Sequence, residues 1–138
     1  MWKQQKGMTR VVGWADGTVE WVALTFECRD AKGLAEFWAA TLGGRLMRDG
    51  TQLEAAGLSF VFHEDPAYVP PTWPSPEVPL QAHLEVVVTD LEAEVERTSG
   101  LGATRHSHQD ADDPDYVVML DPAGNPFCLI RSSAASRG

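Results

Sequence analysis

The same succession of hydrophobic and polar patterns occurs twice in the chain, and the two copies begin about 60 positions apart. Apolar and polar residues alternate over 21–28 and again over 83–88, as in strands that bury one face. Each strand pattern leads to an aspartate, Asp30 or Asp90, followed by a helical pattern that ends in Leu-Gly. A short carboxylate suits a helix N-cap and a glycine suits the turn that ends a helix. The repeat predicts two copies of one strand–helix unit.

The alternation assigns residues to the two faces of each first strand. One face, expected to pack on the helices, carries Val22, Leu24, Phe26 and Cys28 in copy one and Leu84, Val86 and Val88 in copy two. The opposite face carries Trp21, Ala23, Thr25 and Glu27, and then His83, Glu85 and Val87. The apolar stripes of the helices are Leu34, Phe37, Trp38 and Leu42, and then Leu91, Val95 and Leu101.

Three further short strands follow each helix. They are predicted at Arg45–Met47, Gln52–Ala55 and Leu58–His63, and at Thr104–Ser107, Tyr116–Leu120 and Phe127–Arg131. The run Asp121–Asn125 separates the last two strands and is typical of a hairpin turn, because proline fixes φ and glycine tolerates positive φ. Each copy is therefore a βαβββ module, and the fold class is α+β.

The modules define one domain over 19–131. Module one covers 19–63 and module two covers 81–131; the linker between them, 64–80, holds six prolines, which exclude a helix or a central strand. Residues 1–18 are an N-terminal extension. Val11–Trp14 and Thr18–Val22, on either side of 15–17, could form an added hairpin, and Met8 could equally be a second start site. Residues 132–138 are a tail.

Composition excludes several classes of function. The 138 residues carry a net charge of −9, which disfavours binding to nucleic acid or to an anionic membrane surface. We find no apolar run of membrane-spanning length and no leader pattern. The two cysteines, Cys28 and Cys128, make no disulfide framework, and we expect a cytoplasmic protein.

Three phrases carry a family resemblance: FWAATLGG, HLEVVVTDLEAEV and LDPAGNPFCLI. With the repeated modules, they resemble the vicinal-oxygen-chelate superfamily (the glyoxalase, bleomycin-resistance and extradiol dioxygenase fold) and its glyoxalase-like subgroup. The resemblance covers 19–131. It implies that each module forms a curved sheet, that the paired sheets form a cavity, and that the chain is a homodimer.

The same resemblance implies where a metal would bind. Metal-dependent members use His, Gln or Glu from the first and last strands of each module. His83 matches one such position, whereas Ala23 and Cys128 stand at two others, and Val61 is aligned with the fourth. Because a lone imidazole cannot hold a divalent ion against water, we expect no cofactor; a divalent metal with displaced ligands is the second interpretation.

The candidate ligand-binding residues are Trp21, Glu27, Trp73, His83, Glu85 and Cys128. His83 is also the best catalytic candidate, since imidazole can act as a base or a donor near neutral pH, but a hydrogen-bonded remnant of the ligand set fits as well. Cys128 fits a nucleophile, a soft ligand or an apolar filler. Glu27 and Glu85 could meet a cation or lie at a solvated rim. Trp21 could line the cavity or a dimer contact, and Trp73 could stack on a ligand or anchor the linker.

Two weaker candidates have plainer interpretations. His63 shares the face of Val61 but ends its strand, which favours a surface position. The segment from His106 to Asp115 contains two histidines and four aspartates, but its spacing does not fit a calcium loop, and a solvated acidic loop is the simpler interpretation.

The sequence thus predicts a protein that binds a small organic molecule without the family metal, the net acidity favouring a cationic or neutral ligand. The alternative is an enzyme: a metal-dependent or His83-based lyase, isomerase or dioxygenase. A domain whose cavity is filled by its own side chains is a third interpretation.

Overall fold

A computed structural model describes residues 19–133. Most of the predicted hairpin over 11–22, the second start site at Met8 and most of the tail lie outside the described residues. Residues 19–22, in the second arm of that hairpin, are described and are not in a strand. No helix in the described part of the chain has the length and apolarity needed to cross a bilayer.

Module one forms a four-stranded sheet with one helix. Its elements are β1 (Leu24–Cys28), α1 (Ala31–Leu42), β2 (Arg45–Met47), β3 (Gln52–Ala55) and β4 (Leu58–Glu64). The strand order is β1-β4-β3-β2, with β1 parallel to β4 and the other pairs antiparallel. The helix carries the chain from β1 at one edge of the sheet to β2 at the other, so that β4 can return parallel to β1.

Module two repeats this topology. Its elements are β5 (Glu85–Val88), α2 (Leu91–Gly100), β6 (Thr104–Arg105), β7 (Tyr116–Leu120) and β8 (Pro126–Arg131), in the order β5-β8-β7-β6. The α+β class and the two βαβββ modules are confirmed. The first strand of each copy is shorter than its alternating pattern. β6 ends at Arg105 rather than Ser107, because the Gln109 side chain, not a longer strand, accepts from the backbone N–H of Val118 and donates to its carbonyl.

The helix caps match the sequence prediction. Asp30 accepts from the backbone N–H of Gly33 at 3.0 Å, and Asp90 accepts from that of Ala93 at 3.1 Å. After α1, Gly43 has φ 74°, the left-handed conformation that glycine adopts without a steric penalty. The repeated aspartates therefore fix where both helices begin.

One core joins the two modules. Phe37 and Trp38 on α1 both meet Phe127 of β8 edge to face, at ring-centroid distances of 6.0 and 4.9 Å. Their predicted core positions are confirmed. Leu101, by contrast, is 38% exposed because α2 ends before it, and Thr98 takes the buried position instead.

The pairing register settles the alignment of the modules. Thr25 lies opposite Val61 in β1–β4, and Glu85 lies opposite Cys128 in β5–β8. Thr25 and Glu85 each stand five positions before their helix cap. Val61 is therefore the module-one counterpart of Cys128, as the sequence alignment predicted.

Candidate functional site

A pocket of about 400 Å³ lies on the sheet of module two. Its floor comes from β5, β7 and β8, and the proline-rich linker supplies one wall. The lining residues are Trp73, Leu80, His83, Glu85, Asp113, Asp115, Tyr116, Val118, Pro126, Cys128 and Ile130. We call this space the module-two pocket.

Strand parity puts the floor residues side by side. Odd-numbered Phe127 and Leu129 of β8 enter the core, so Cys128 and Ile130 face the pocket. Register then places Val118 of β7 opposite Cys128, and Tyr116 opposite Ile130. The floor is therefore apolar over β7 and β8, and its polar groups gather at β5.

Three potential ligand side chains meet at that polar edge. His83 Nε2 lies 3.3 Å from Glu85 Oε2, and one atom each of His83, Glu85 and Cys128 lies within 4.8 Å of the others. The imidazole and the carboxylate are exposed, whereas Cys128 is only 8% exposed. Within 19–133, no other such group of three His, Cys, Asp or Glu side chains is found. We call it the His83–Glu85–Cys128 cluster.

Electrostatics separate the roles of these groups. Burial, and then the charge of Glu85, raise the pKa of the Cys128 thiol to about 11, so the free thiol is protonated at neutral pH. That pKa does not support a thiolate nucleophile activated by His83. Asp113 and Asp115 lie on the rim, and Arg131 pairs with Asp115 at 3.2 Å, so acidic groups outnumber basic ones around the pocket.

Trp73 is held over the pocket by two histidines. Its ring meets the rings of His106 and His108 edge to face, with centroid distances of 5.3 and 5.2 Å. The backbone N–H of His108 donates to His106 Nδ1, which leaves Nε2 of the neutral ring to donate to the Trp73 carbonyl at 3.1 Å. These contacts place the linker tryptophan both as an anchor and as a pocket wall.

Trp21 and Glu27 are not brought into this pocket. Trp21 is 51% exposed on module one and donates its indole N–H to Ser59. Glu27 lines a neighbouring groove of about 520 Å³ between the modules, which His83 also borders. Glu27 Oε1 lies 2.6 Å from His63 Nδ1, and this hydrogen bond raises the pKa of the exposed His63. The cluster and the His63–Glu27 pair are thus on different sheets.

Several residues of the pocket were not predicted from the sequence. Tyr116, Val118 and Ile130 were assigned to strands but not to the cavity, although parity from Cys128 and the tight turn before β8 were enough to place them. The rim residues Asp113 and Asp115 belong to the acidic loop, and no local pattern points that loop toward β8. The loop's position depends on the tertiary structure.

The side chains do not fit the superfamily's usual metal site. Ala23 and Val61 offer no donor atom, so module one contributes nothing, and Cys128 supplies sulfur where a hard ion needs oxygen. A ligand set of the family type is therefore missing. The three side chains of the cluster remain as a smaller, softer set.

Comparisons with known proteins agree with the fold and the motifs. The solved structures similar to this chain include a glyoxalase/bleomycin resistance protein/dioxygenase family enzyme from Burkholderia phytofirmans, with 16% identity, TM-score 0.59, and coverage of 79% of this chain and 95% of that one. The fosfomycin resistance protein FosX from Listeria monocytogenes has 13% identity, TM-score 0.61, and coverage of 87% and 98%. A glyoxalase family protein from Enterococcus faecalis has 15% identity, TM-score 0.59, and coverage of 83% and 98%.

At these identities the structures show a shared fold. The comparison with curated proteins gives no match. The model of the glyoxalase-like domain family matches residues 23–130, which include both modules and the linker. The resemblance drawn from the sequence motifs is confirmed: this chain belongs to the glyoxalase-like domain family, and it shares its fold with structures of the glyoxalase/bleomycin resistance/dioxygenase group.

Proposed function

We propose that this protein binds a small organic molecule in the module-two pocket, without a metal ion of the family type. The observation that carries the proposal is the lining: an apolar floor and an aromatic wall with a few polar groups at one edge. Ligand sites usually combine an apolar surface with a few polar groups that fix orientation, in volumes of about 300–1,000 Å³. The pocket, at about 400 Å³, falls in that range.

The charges favour a particular kind of ligand. Glu85, Asp113 and Asp115 border the pocket, and Arg131 is already paired with Asp115. A cationic or neutral polar head beside these carboxylates, with a flat body against Trp73, is complementary to the lining. An anionic head would meet uncompensated negative charge.

We propose that the protein forms a homodimer and is located in the cytoplasm. Trp21 and Leu24 are 51% and 46% exposed near the start of β1, and exposed apolar groups of that size favour a subunit contact. Cys28 and Cys128 are both free thiols, as a reducing compartment would keep them. We propose no nucleic-acid partner, because the net charge is −9.

A second candidate function uses the same pocket. The contact between His83 and Glu85 orients an exposed imidazole toward the ligand space, which favours acid–base catalysis in a lyase or isomerase. An enzyme of this kind would convert a molecule that binds in the pocket to a product. Binding is therefore the property to test first.

A fragment screen by ligand-observed NMR tests the binding proposal. Chelator-treated protein is used so that a metal plays no part. We expect flat amines to bind and their carboxylate analogues to bind at least about tenfold more weakly, a difference of about 1.4 kcal/mol. Ile130→Trp should abolish binding by filling the floor, whereas Leu58→Trp, at an exposed position outside this pocket, should not.

Two results would contradict the proposal. One is a screen without hits, and the other is a set of hits that bind the Ile130 variant as well as wild type. Circular dichroism of both tryptophan variants confirms that they are folded. For any amine that binds, His83→Ala should weaken binding while stability changes by about 1 kcal/mol or less, because the side chain is exposed.

A further inference from the structure

The His83–Glu85–Cys128 cluster has the composition of a transition-metal site rather than of an ion pair. It brings together one nitrogen, one oxygen and one sulfur donor, all within 4.8 Å of one another. Two ligands of one zinc ion lie between about 3 and 4 Å apart when the bonds are about 2.0–2.3 Å long. The 3.3 Å between His83 Nε2 and Glu85 Oε2 is already in that range.

The cluster differs from the superfamily's usual ligand set in two ways. All three donors come from module two, on the neighbouring strands β5 and β8, so neither module one nor a second subunit is needed. One donor is the sulfur of Cys128, which releases its proton to water when it binds a metal and then selects thiophilic ions over magnesium and manganese. Glu85, opposite Cys128 in the register, adds a position outside the aligned ligand set.

We propose that His83, Glu85 and Cys128 bind a thiophilic divalent cation, zinc above all, as a three-ligand site that opens into the module-two pocket. Three protein ligands leave one tetrahedral position for water or a bound molecule. All three residues line the same pocket, so the open position faces the ligand space. This proposal does not rest on the proposed function, because the ion needs no organic ligand to bind.

Cobalt(II) is the probe for this site, because thiolate coordination gives it a near-ultraviolet charge-transfer band that zinc lacks. The reduced, metal-free full chain is titrated with cobalt alone, and zinc is then added. We expect a saturable band at one equivalent, ligand-field absorption of tetrahedral intensity, and loss of both when zinc displaces cobalt. Manganese should not compete.

The chain supplies a matched control for each kind of ligand. Cys128→Ser should remove the charge-transfer band, whereas Cys28→Ser should keep it, since Cys28 is the other buried thiol and donates to the His63 carbonyl. Glu85→Gln should weaken cobalt binding at least tenfold. Glu27→Gln, at a carboxylate paired with a histidine on the other sheet, should leave it unchanged.

The proposal is overturned by the absence of a band in wild type, by a band that survives in the Cys128 variant, or by equal effects of the Glu85 and Glu27 variants. Cys128→Ala replaces the serine variant if the latter does not fold, and circular dichroism checks each protein. Failure of the fragment screen with a positive cobalt titration would reject only the proposed organic ligand. Fragment binding without cobalt binding would reject only the metal site.

Discussion

Trp38 of α1 donates its indole N–H to the carboxylate of Asp121, 3.2 Å away in the turn that precedes β8. The bond joins module one to module two inside the core, where Trp38 is 3% and Asp121 5% exposed. The other oxygen of Asp121 accepts from the backbone N–H groups of Ala123 and Asn125 and so shapes the turn. One carboxylate therefore ties the hairpin below the pocket floor to the opposite module.

Replacement of Asp121 should be strongly destabilising. Asp121→Ala leaves the Trp38 indole and two backbone amides without an acceptor, and we expect a loss of about 3 kcal/mol in the free energy of unfolding. Asp121→Asn keeps one acceptor oxygen and should cost less. Urea denaturation measures both, with Asp49→Asn at an exposed turn as the control. A cost below about 1 kcal/mol for the alanine variant would contradict the role given to this bond.

Asp121 also gives stability a pH dependence. Burial raises the pKa of its carboxyl group above the usual range, so the folded state holds this proton more tightly than the unfolded state. The stability contribution is present at pH below the unfolded pKa and is lost as pH rises through the folded pKa. The difference in stability between wild type and Asp121→Asn should therefore shift in favour of wild type as the solution is acidified. A pH-independent difference would contradict the assignment.

His63 should titrate above the usual histidine range. The hydrogen bond that the His63 ring donates to Glu27, and then the charge of Glu27, raise the pKa of His63 in the folded chain. The contribution of this pair to stability is thus present below the unfolded pKa of about 6.5 and is lost as pH rises through the folded pKa. NMR titration of the ring protons measures it. Glu27→Gln should lower the pKa of His63, and Glu85→Gln should not.

Restoring the missing family ligands should create binding of a hard ion. The register places Val61 opposite Thr25 as Cys128 lies opposite Glu85, which supports Ala23→His, Val61→Glu and Cys128→Glu in combination with native His83. We expect isothermal titration to show a gain in manganese affinity of at least tenfold over wild type. The matched control puts Ser59→Glu in place of the change at Val61, on the same face two residues away. Equal gains in both proteins would contradict the alignment.

The subunit contact is tested at Trp21. Sedimentation equilibrium should give about twice the chain mass of 15.1 kDa for wild type. Trp21→Arg should shift the equilibrium toward monomer, because a charge replaces a large apolar group at the proposed contact. Leu101→Arg, at an exposed leucine near the end of α2, is the control. A wild-type monomer at tens of micromolar would refute the dimer.

The local pattern of the chain determined most of the fold. Val22 and Leu24, predicted on the packed face of the first strand, are instead 60% and 46% exposed, because Val22 precedes β1 and Leu24 is its first residue. Elsewhere alternation predicted the packed face, at Phe26, Cys28 and Val86, Asp30 and Asp90 predicted the helix starts, and the turn over Asp121–Asn125 predicted the last hairpin. These features depend on neighbouring residues: side-chain period, capping and turn geometry act over a few positions. Leu101, predicted in the apolar stripe of the second helix, is exposed because α2 ends at Gly100, directly before it.

Only the tertiary structure decided which candidates share a site. His83, Glu85 and Cys128 come together because β5 and β8, some 40 residues apart in the chain, pair in parallel with one particular register. Trp21 and Glu27 stay apart from them because the other sheet faces a different space, and Trp73 joins the pocket because His106 and His108 hold the linker there. Parity tells which face a side chain is on, but the distance between faces of different sheets depends on how the sheets pack through the common core.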